Sequence, residues 1–381
     1  MDTPPFPQNS FSASYDVVII GGATSGSAIA RFLVSNPDFK GKVLVVEKNP
    51  SLAYSATQAS NNCMLQQFAT DINVKIAQYA AEFVKGFRKS LKCEDGDGIP
   101  DIPIRNFGYL YLADTSEFAG VLEEDQKLQD HYGAGTEMLS ADEIASKYPL
   151  FVLDDIKAGS LNTVDEGAFD ALGMAHSLRK NSQQLGVDYI NNEVVGMTRV
   201  GNKITSVTLE TVESIRLTTL STPQEPELLR SHLPIEARRR STYIFSVDEP
   251  LSQDLPLTID PTGVHMQSYG KKDYLVGCSP IGLDVVVNPD DFSYAEDVWN
   301  LKMLPVLKKR VPQFSTTKDT HSWMIYYEFN TFDHNAIIGP HTEVSNLLLC
   351  AGFSGHGSQQ APACGRGVTE LITYGEFRTL D

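Results

Sequence analysis

Glycines near the start of the chain have the types and spacing that bind the phosphates of a dinucleotide. An apolar run, residues 17–20, leads into Gly21-Gly22-Ala23-Thr24-Ser25-Gly26 and then into a helix-forming stretch that continues to Leu33. Gly21 permits a tight turn, the next backbone groups approach a pyrophosphate, and Gly26 lets the helix pack on the strand. The helix N-terminus adds unpaired N–H groups and roughly half a positive charge. The pattern predicts a phosphate-binding turn.

A carboxylate follows at the distance that such a site requires. A second apolar run, residues 43–46, ends on Glu47, about 20 residues after Gly26, and Lys48 comes next. A carboxylate there accepts hydrogen bonds from ribose hydroxyls. We therefore expect FAD or NAD rather than NADP. Ala23 departs from the pattern, since a glycine usually stands there, and the alternative is an ordinary βαβ unit whose glycines only serve packing.

A second glycine-rich turn lies near the C-terminus. Residues 352–360, GFSGHGSQQ, again join an apolar run to a helix-forming stretch. An NAD dehydrogenase has no general need for such a turn, whereas a flavin ring lies far from its adenosine and needs its own donors. A helix N-terminus aimed at the ring would stabilise the negative charge of reduced flavin. The two turns together favour FAD, and the alternative is a tight turn with a core histidine, His356.

The sequence at this point resembles the D-amino-acid-oxidase superfamily of FAD oxidoreductases over nearly its whole length. The likeness is greatest to FAD-dependent oxidoreductase-domain proteins related to a mitochondrial complex I assembly factor, and more distant to sarcosine oxidase and dimethylglycine dehydrogenase. It rests on the first turn with Glu47 and on residues 65–68 (LQQF), 165–170 (DEGAFD), 233–236 (LPIE), 330–340 (NTFDHNAIIGP) and 352–366 (GFSGHGSQQAPACGR).

The resemblance implies a mixed α/β and α+β fold with two domains. A Rossmann-like FAD-binding domain would be built from discontinuous segments, and a β-sheet-based substrate domain would cover the flavin. It also implies hydride transfer to FAD from the C–N bond of an amino acid or of a secondary or N-methylated amine. We expect a disordered lead at 1–14, an FAD-binding domain at 15–92, 155–232 and 334–381, and a substrate domain at 93–154 and 233–333.

The same resemblance assigns site residues. The ADP half of FAD would meet Gly21, Gly22, Ala23, Ser25, Gly26, Glu47, Lys48 and the backbone of Val194. The flavin ring would meet Gly352, Phe353, Ser354, Gly355, His356, Gly357 and Gln359, with Thr331 and Asp333 near its other edge. Tyr326, Tyr327 and His356 are the expected catalytic residues, and either tyrosine could face the substrate.

The chain lacks the family's usual anchor for a substrate carboxylate. Leu65 stands where the family commonly has an arginine before Gln-Gln-Phe. A bidentate arginine is worth on the order of 1.5–3 kcal/mol as a charged hydrogen bond. Arg105 or Arg240 could replace it, although a surface or interdomain salt-bridge residue is the simpler interpretation of each.

Other departures concern the flavin itself. Tyr326 takes the place of the cysteine that attaches flavin in sarcosine oxidases, so we expect non-covalent FAD. Leu275 and Gln359 replace lysines, which disfavours a fast oxidase and leaves the electron acceptor open. Residues 210–232 are the least periodic part of the interior. They offer no Val-x-x-Ala-Ala-Gly motif, where relatives have a strand that ends in this motif and a helix, and this difference predicts weaker cofactor binding. The alternative function is therefore a flavin-binding assembly factor or scaffold with weak or no catalysis.

Hydrophobic periodicity predicts the elements that position these turns. A helix is expected over residues 71–92, where Ile72, Ile76, Tyr79, Phe83 and Phe87 share one face, and a hairpin around Gly201-Asn202. The remaining expected strands are 105–112, 187–190, 243–245, 264–266, 274–276, 323–329 and 347–350, and the remaining helices 168–185, 295–310 and 361–373.

Composition limits partners and compartment. The 381 residues carry a net charge of -17, which argues against nucleic acid, and Arg238-Arg239-Arg240 is too short a basic cluster to change that. No apolar run approaches the roughly 18 residues of a membrane helix. Five scattered cysteines without a CxxC pair suggest a reduced compartment and no metal site. The N-terminus shows no signal or transit peptide, which favours cytoplasm, whereas the resemblance implies mitochondria.

Overall fold

Two eight-stranded sheets organise the computed structural model, which describes residues 6–94, 96–222, 233–288 and 297–379. The strands are β1 (Ser14–Ile20), β2 (Val43–Glu47), β3 (Cys63–Met64), β4 (Tyr109–Ala113), β5 (Glu137–Ser140), β6 (Ala158–Asn162), β7 (Gly167–Ala168), β8 (Asp188–Asn191), β9 (Val194–Val200), β10 (Lys203–Leu209), β11 (Ser214–Thr222), β12 (Ile235–Ser246), β13 (Leu257–Ile259), β14 (His265–Ser268), β15 (Asp273–Cys278), β16 (Lys318–Asn330), β17 (Ile337–Pro340) and β18 (Leu347–Ala351). The helices are α1 (Thr24–Ser35), α2 (Asp71–Lys85), α3 (Phe87–Ser90), α4 (Ser116–His131), α5 (Ala141–Lys147), α6 (Ala171–Gln184), α7 (Leu304–Arg310) and α8 (Gly357–Tyr374), with a π-helical turn at Trp299–Met303 and a 3-10 turn at Pro312–Thr316.

The first sheet has the order β17-β18-β11-β1-β2-β8, and β9 and β10 extend it from β11. The pairs β18–β11, β11–β1, β1–β2 and β2–β8 are parallel. Val18, Ile19, Leu44 and Val45 are fully buried, as is typical of parallel strands covered on both faces. Helix α1 packs against α6 and α8. This sheet brings both glycine-rich turns to the carboxyl ends of its parallel strands.

The second sheet has the order β16-β12-β15-β14-β13-β4-β6-β5. Its core includes the aromatic residues Phe245, Trp299 and Phe314. Strands β3 and β7 form a small two-stranded sheet. The mixed fold with a Rossmann-like parallel sheet and a separate β-sheet unit is confirmed, and so is the hairpin β9–β10.

Several local expectations need correction. The expected lead at 1–14 is not disordered from residue 6, because Phe6 is buried against Tyr189 and the Pro7 carbonyl accepts from Asn191 N. The expected strand from Arg105 begins only at Tyr109, after Gly108 with φ +93°. The helix expected over 71–92 is interrupted at Gly86.

The stretch 210–232 is aperiodic in sequence and predicted no strand, yet its first half contains one. Residues 214–222 form β11, which lies between β1 and β18 in the centre of the parallel sheet. The sequence did not reveal this strand because it contains polar residues such as Ser221 and Thr222, which are nevertheless fully buried. Residues 223–232, which include the place of the missing motif, lie outside the described residues.

The domain boundaries remain a prediction, although one strand departs from them. Strand β6 falls in the segment 155–232 that we assigned to the FAD-binding domain, yet it pairs with β4 and β5 in the second sheet. The pairing requires the chain to return to the first sheet only after β6. Within the described ranges, no helix is long and apolar enough to cross a membrane.

Candidate functional site

The first glycine-rich turn has the geometry of a phosphate cradle. Gly21 has φ +97°, and its N–H donates to the Val46 carbonyl at 2.8 Å. A Cβ added at Gly26 would lie 1.9 Å from the Gly21 carbonyl oxygen, so α1 meets the turn too closely for any side chain. Ala23 is the N-cap and has no polar side chain to cap α1. Thr24 N donates to the Thr57 hydroxyl at 3.4 Å, whereas no side-chain acceptor from the described residues reaches the Ser25 amide.

Glu47 closes this turn from the end of β2. Its carboxylate is buried, and it accepts from Gly22 N at 2.7 Å and from Asn49 N at 2.8 Å. The exposed Lys48 ammonium lies 3.9 Å from the Glu193 carboxylate, immediately before Val194 at the start of β9. The structure therefore brings the turn, Glu47, Lys48 and Val194 to one edge of the first sheet.

The second glycine-rich turn joins β18 to α8 and is fixed to β16. Gly352, Ser354 and Gly355 all have positive φ. Ser354 N donates to the Glu328 carbonyl at 3.0 Å, and Ser354 Oγ accepts from Asn330 N at 3.0 Å. Phe353 is buried and forms a bridge with Phe329. These bonds hold the start of α8, at Gly357, against the second sheet.

Tyr327 covers the second turn directly. A Cβ at Gly355 would lie 2.7 Å from the Tyr327 ring, so only glycine allows this contact. The Arg240 guanidinium lies 5.0 Å from the centre of the same ring. Burial raises the pKa of Tyr327, and the phenol is therefore neutral near pH 7. Because side chains alternate along a strand, Tyr326 points to the opposite face of β16.

His356 is the N-cap of α8 and packs edge-on against Phe68, with ring centres 5.1 Å apart. Burial lowers the pKa of His356, so its imidazole is neutral near pH 7. Thr331 N donates to the Pro234 carbonyl at 2.7 Å, and the Asp333 carboxylate accepts from Asn330 Nδ2 at 2.9 Å. Thr331 and Asp333 thus shape the turn that follows β16.

Gln359 connects the second turn to the segment that lacks the arginine. Its Oε1 accepts from Leu65 N at 2.9 Å. The two residues that replace cationic residues of the family are therefore in contact. Gln359 is almost fully buried, and its Nε2 finds no acceptor among the described residues. A buried donor without a partner is costly, so this atom indicates that a further group occupies the space beside it.

The two candidate replacements for the arginine differ. Arg240 makes a bidentate salt bridge with Asp284 at 2.9 and 2.8 Å, as the simpler interpretation predicts. Burial and then Arg240 lower the pKa of His265 to about 4. Arg105 is exposed and stacks over Phe107. Leu275 lies buried in β15. Arg240 is therefore engaged by Asp284, whereas no ion pair from the described residues engages Arg105.

Glu166 is a site residue that the sequence patterns did not single out as titratable. It is fully buried and accepts from Gln66 N at 2.6 Å, Gln67 Nε2 at 2.9 Å and Asn162 Nδ2 at 3.1 Å. Burial raises its pKa to about 8, against the opposite effect of these hydrogen bonds, Gln67 first. The family resemblance at residues 165–170 (DEGAFD) includes Glu166. Only the fold, however, shows that Glu166 positions the segment that carries Leu65.

A parallel sheet with two glycine-rich strand–turn–helix units, one of them facing a second sheet, defines the class of flavin-dependent oxidoreductases. The chain belongs to the FAD dependent oxidoreductase family (DAO), whose sequence model matches residues 16–371. Proteins of this family are FAD-dependent. In the described part of the chain, no group of three or more His, Cys, Asp or Glu side chains could hold a metal ion.

Individual proteins agree with this assignment. FAD-dependent oxidoreductase domain-containing protein 1 of Bos taurus is 30% identical, over 96% of this chain and 82% of the relative. The mitochondrial sarcosine dehydrogenase of Mus musculus is 22% identical, over 98% of this chain and 41% of its own length. The solved L-proline dehydrogenase of P. horikoshii superposes with a TM-score of 0.80 at 22% identity, over 98% of this chain and 96% of that one.

Replacing Gln359 by leucine tests the hydrogen bond from Leu65 N to the Gln359 side chain. The Leu65 amide would stay buried without an acceptor, so we expect the free energy of unfolding to fall by about 1–3 kcal/mol in FAD-free protein. Urea unfolding measures this loss. Gln184→Leu, at an exposed position at the end of α6, is the control and should change little. Equal stability of the two variants would mean that the lost bond to Leu65 N costs no more than the unpaired Nε2 that the substitution also removes.

Proposed function

We propose that the protein oxidises a C–N bond of an amino acid or of a secondary or N-methylated amine, with FAD held at the two glycine-rich turns. The observation that carries this proposal is the direct packing of Tyr327 on Gly355, which closes one wall of the second turn with a neutral phenol. The neutral imidazole of His356 adjoins it. Hydride transfer from a neutral amine needs orientation more than acid–base assistance, and uncharged walls suit it.

The binding roles follow the geometry of each turn. Gly21, Gly26 and the Ser25 amide at the start of α1 would hold the pyrophosphate. Glu47 would exchange its bond to Gly22 N for the ribose hydroxyls. Gln359 Nε2 and the N-terminus of α8 would face the flavin ring. Bound FAD would supply the hydride acceptor. Tyr327 and His356 would orient the amine, and the positive end of α8 would favour negative charge on the ring.

Absorption spectroscopy of purified protein tests cofactor and reaction in turn. Flavin bands that move into the supernatant after acid precipitation are the expected result, since Tyr326 offers no thiol for attachment. Anaerobic addition of secondary and N-methylated amines and amino acids should then bleach the bands. Bands that persist with every substrate would contradict the proposed reaction.

A second candidate is a flavin-binding scaffold with weak or no catalysis. The contact between Leu65 and Gln359 favours it. Both residues are uncharged at positions that carry cations in relatives, and the Leu65 amide donates to the Gln359 side chain instead. A scaffold would bind FAD and resist bleaching by the whole panel. The same spectra therefore separate the two functions.

A further inference from the structure

A cavity of about 220 Å³ lies between α4 and the second glycine-rich turn. Leu65 and His356 line it on the side of the turn, so it adjoins the place proposed for the flavin ring. Phe118 and Asp125 of α4 line it on the other side and are partly exposed to solvent. The cavity is therefore within reach of a small molecule that also contacts the turn.

One face of α4 contributes polar side chains to the wall of the cavity, and packing does not explain their polarity. Phe118, Leu122, Asp125 and Gln129 are spaced by four, three and four residues, which places them in one stripe along the helix. Such a stripe is normally apolar where it faces the interior. Here its second half carries a carboxylate and an amide.

Both polar groups have unused acceptor capacity. No hydrogen bond or ion pair from the described residues reaches the Asp125 carboxylate, and burial raises its pKa. Gln129 is 2% exposed, its Nε2 donates to the Phe68 carbonyl at 3.2 Å, and its Oε1 has no donor within the described ranges. A buried acceptor of this kind is costly unless a ligand satisfies it.

The remaining walls suit a cation. The aromatic residues Phe68, Tyr111 and Phe118 line the cavity together with His356, whose pKa is lowered by burial so that its imidazole is neutral. Aromatic faces attract ammonium groups within about 6 Å of the ring centre. Of the described residues that line the cavity, none is a lysine or an arginine. A carboxylate in this space would face Asp125 without a compensating cation.

We propose that this cavity binds the charged ammonium group of a small organic amine, with Asp125 and Gln129 as acceptors and the aromatic rings as walls. The inference rests on the proposed function, because it names the substrate class for the same site. The substrate carries a cationic nitrogen that serves recognition, in addition to the C–N bond that is oxidised. It needs no carboxylate, which agrees with the absence of a cation at Leu65 and Gln359.

Calorimetric titration of the FAD-loaded protein with tetramethylammonium chloride tests the site, with sodium chloride as the matched salt. Wild-type protein should bind tetramethylammonium, and Asp125→Asn should weaken the Kd by about tenfold or more, since it removes the charge of the acceptor. Phe118→Leu should weaken it about threefold. Asp130→Asn, which removes an exposed carboxylate from the same helix, should leave the Kd unchanged.

The outcomes separate this inference from the proposed function. Absent binding to wild-type protein, an equal Kd for Asp125→Asn and Asp130→Asn, or equally tight binding of sodium acetate would overturn the ammonium site. Bleaching of the flavin by an amino acid without a second nitrogen, while tetramethylammonium fails to bind, would retain the oxidoreductase and discard the site. Specific binding of tetramethylammonium without bleaching by any amine would retain the site and discard the oxidation.

Discussion

Replacing Gly26 by alanine is expected to give a protein that no longer retains FAD and that unfolds at much lower denaturant concentration. The new Cβ would lie 1.9 Å from the Gly21 carbonyl oxygen and 3.0 Å from its carbon. Neither partner can move freely, because Gly21 N is bonded to Val46 and α1 packs against α6 and α8. Overpacking of this kind costs about 3 kcal/mol or more.

Loss of the cofactor would add to that cost. A ligand at a hundredfold its Kd stabilises the folded state by about 2.7 kcal/mol, and a displaced α1 would forfeit this contribution. The ratio of flavin to protein absorbance and urea unfolding with and without added FAD measure the two effects. Gly120→Ala is the matched control, since outside the backbone of α4 and the two neighbouring residues no atom lies within 4 Å of its added Cβ. It should retain FAD and gain about 0.5–1 kcal/mol. Normal flavin content in Gly26→Ala would refute the cradle.

The parts of the fold that the sequence predicted are local. The run from residue 17 to Glu47 contains a strand, a turn, a helix and a second strand, and each follows from nearby residues. The second turn is similar, because β18, the glycines and α8 are contiguous. In both cases apolar runs and glycines at fixed offsets encode the geometry, so the sequence alone predicted both strand–turn–helix units. The binding of phosphates at one and of a flavin ring at the other stays a prediction.

The parts that it did not predict depend on distant partners. Strand β11 is rich in serine and threonine, and its central place follows only from pairing with β1 and β18. Strand β6 joins the second sheet through β4 and β5, which no local pattern encodes. The choice between Tyr326 and Tyr327 needed the register of β16 against the second turn, since both are aromatic residues of one strand.

The site shows the same division. Leu65 and Gln359 were each recognised as departures, but their hydrogen bond crosses 294 residues of sequence and was invisible until the fold joined them. Asp125 lies on a face of α4 whose helical spacing is visible in the sequence. A charged residue on that face was the sequence feature that could have pointed to the cavity. Without the cavity, a charge on a solvent-exposed helix face would have been the simpler interpretation of Asp125.

Glu166 gives the second large expected effect, a loss of stability as the pH rises from about 5 to about 8. Its pKa is about 8 in the folded protein and 4.5 in the reference state for the unfolded chain. Between these values the folded protein holds a proton that the unfolded chain has released. Stability therefore falls with pH across this window, by roughly 5 kcal/mol in total, and the penalty is complete above the folded pKa.

Glu166→Gln isolates this effect because the amide cannot ionise. Buried histidines with lowered pKa, such as His265, act in the opposite direction, but they are shared by both proteins and cancel in the difference. The stability of Glu166→Gln relative to wild type should therefore rise from pH 5 to pH 8.5, as measured by urea unfolding at each pH. Glu117→Gln, at an exposed position of α4, should show no such trend. Parallel pH profiles for wild type and Glu166→Gln would mean that the three hydrogen bonds to Glu166 keep the carboxylate ionised in the folded state. The segment that carries Leu65 would then be held by a buried charge rather than by a neutral acid.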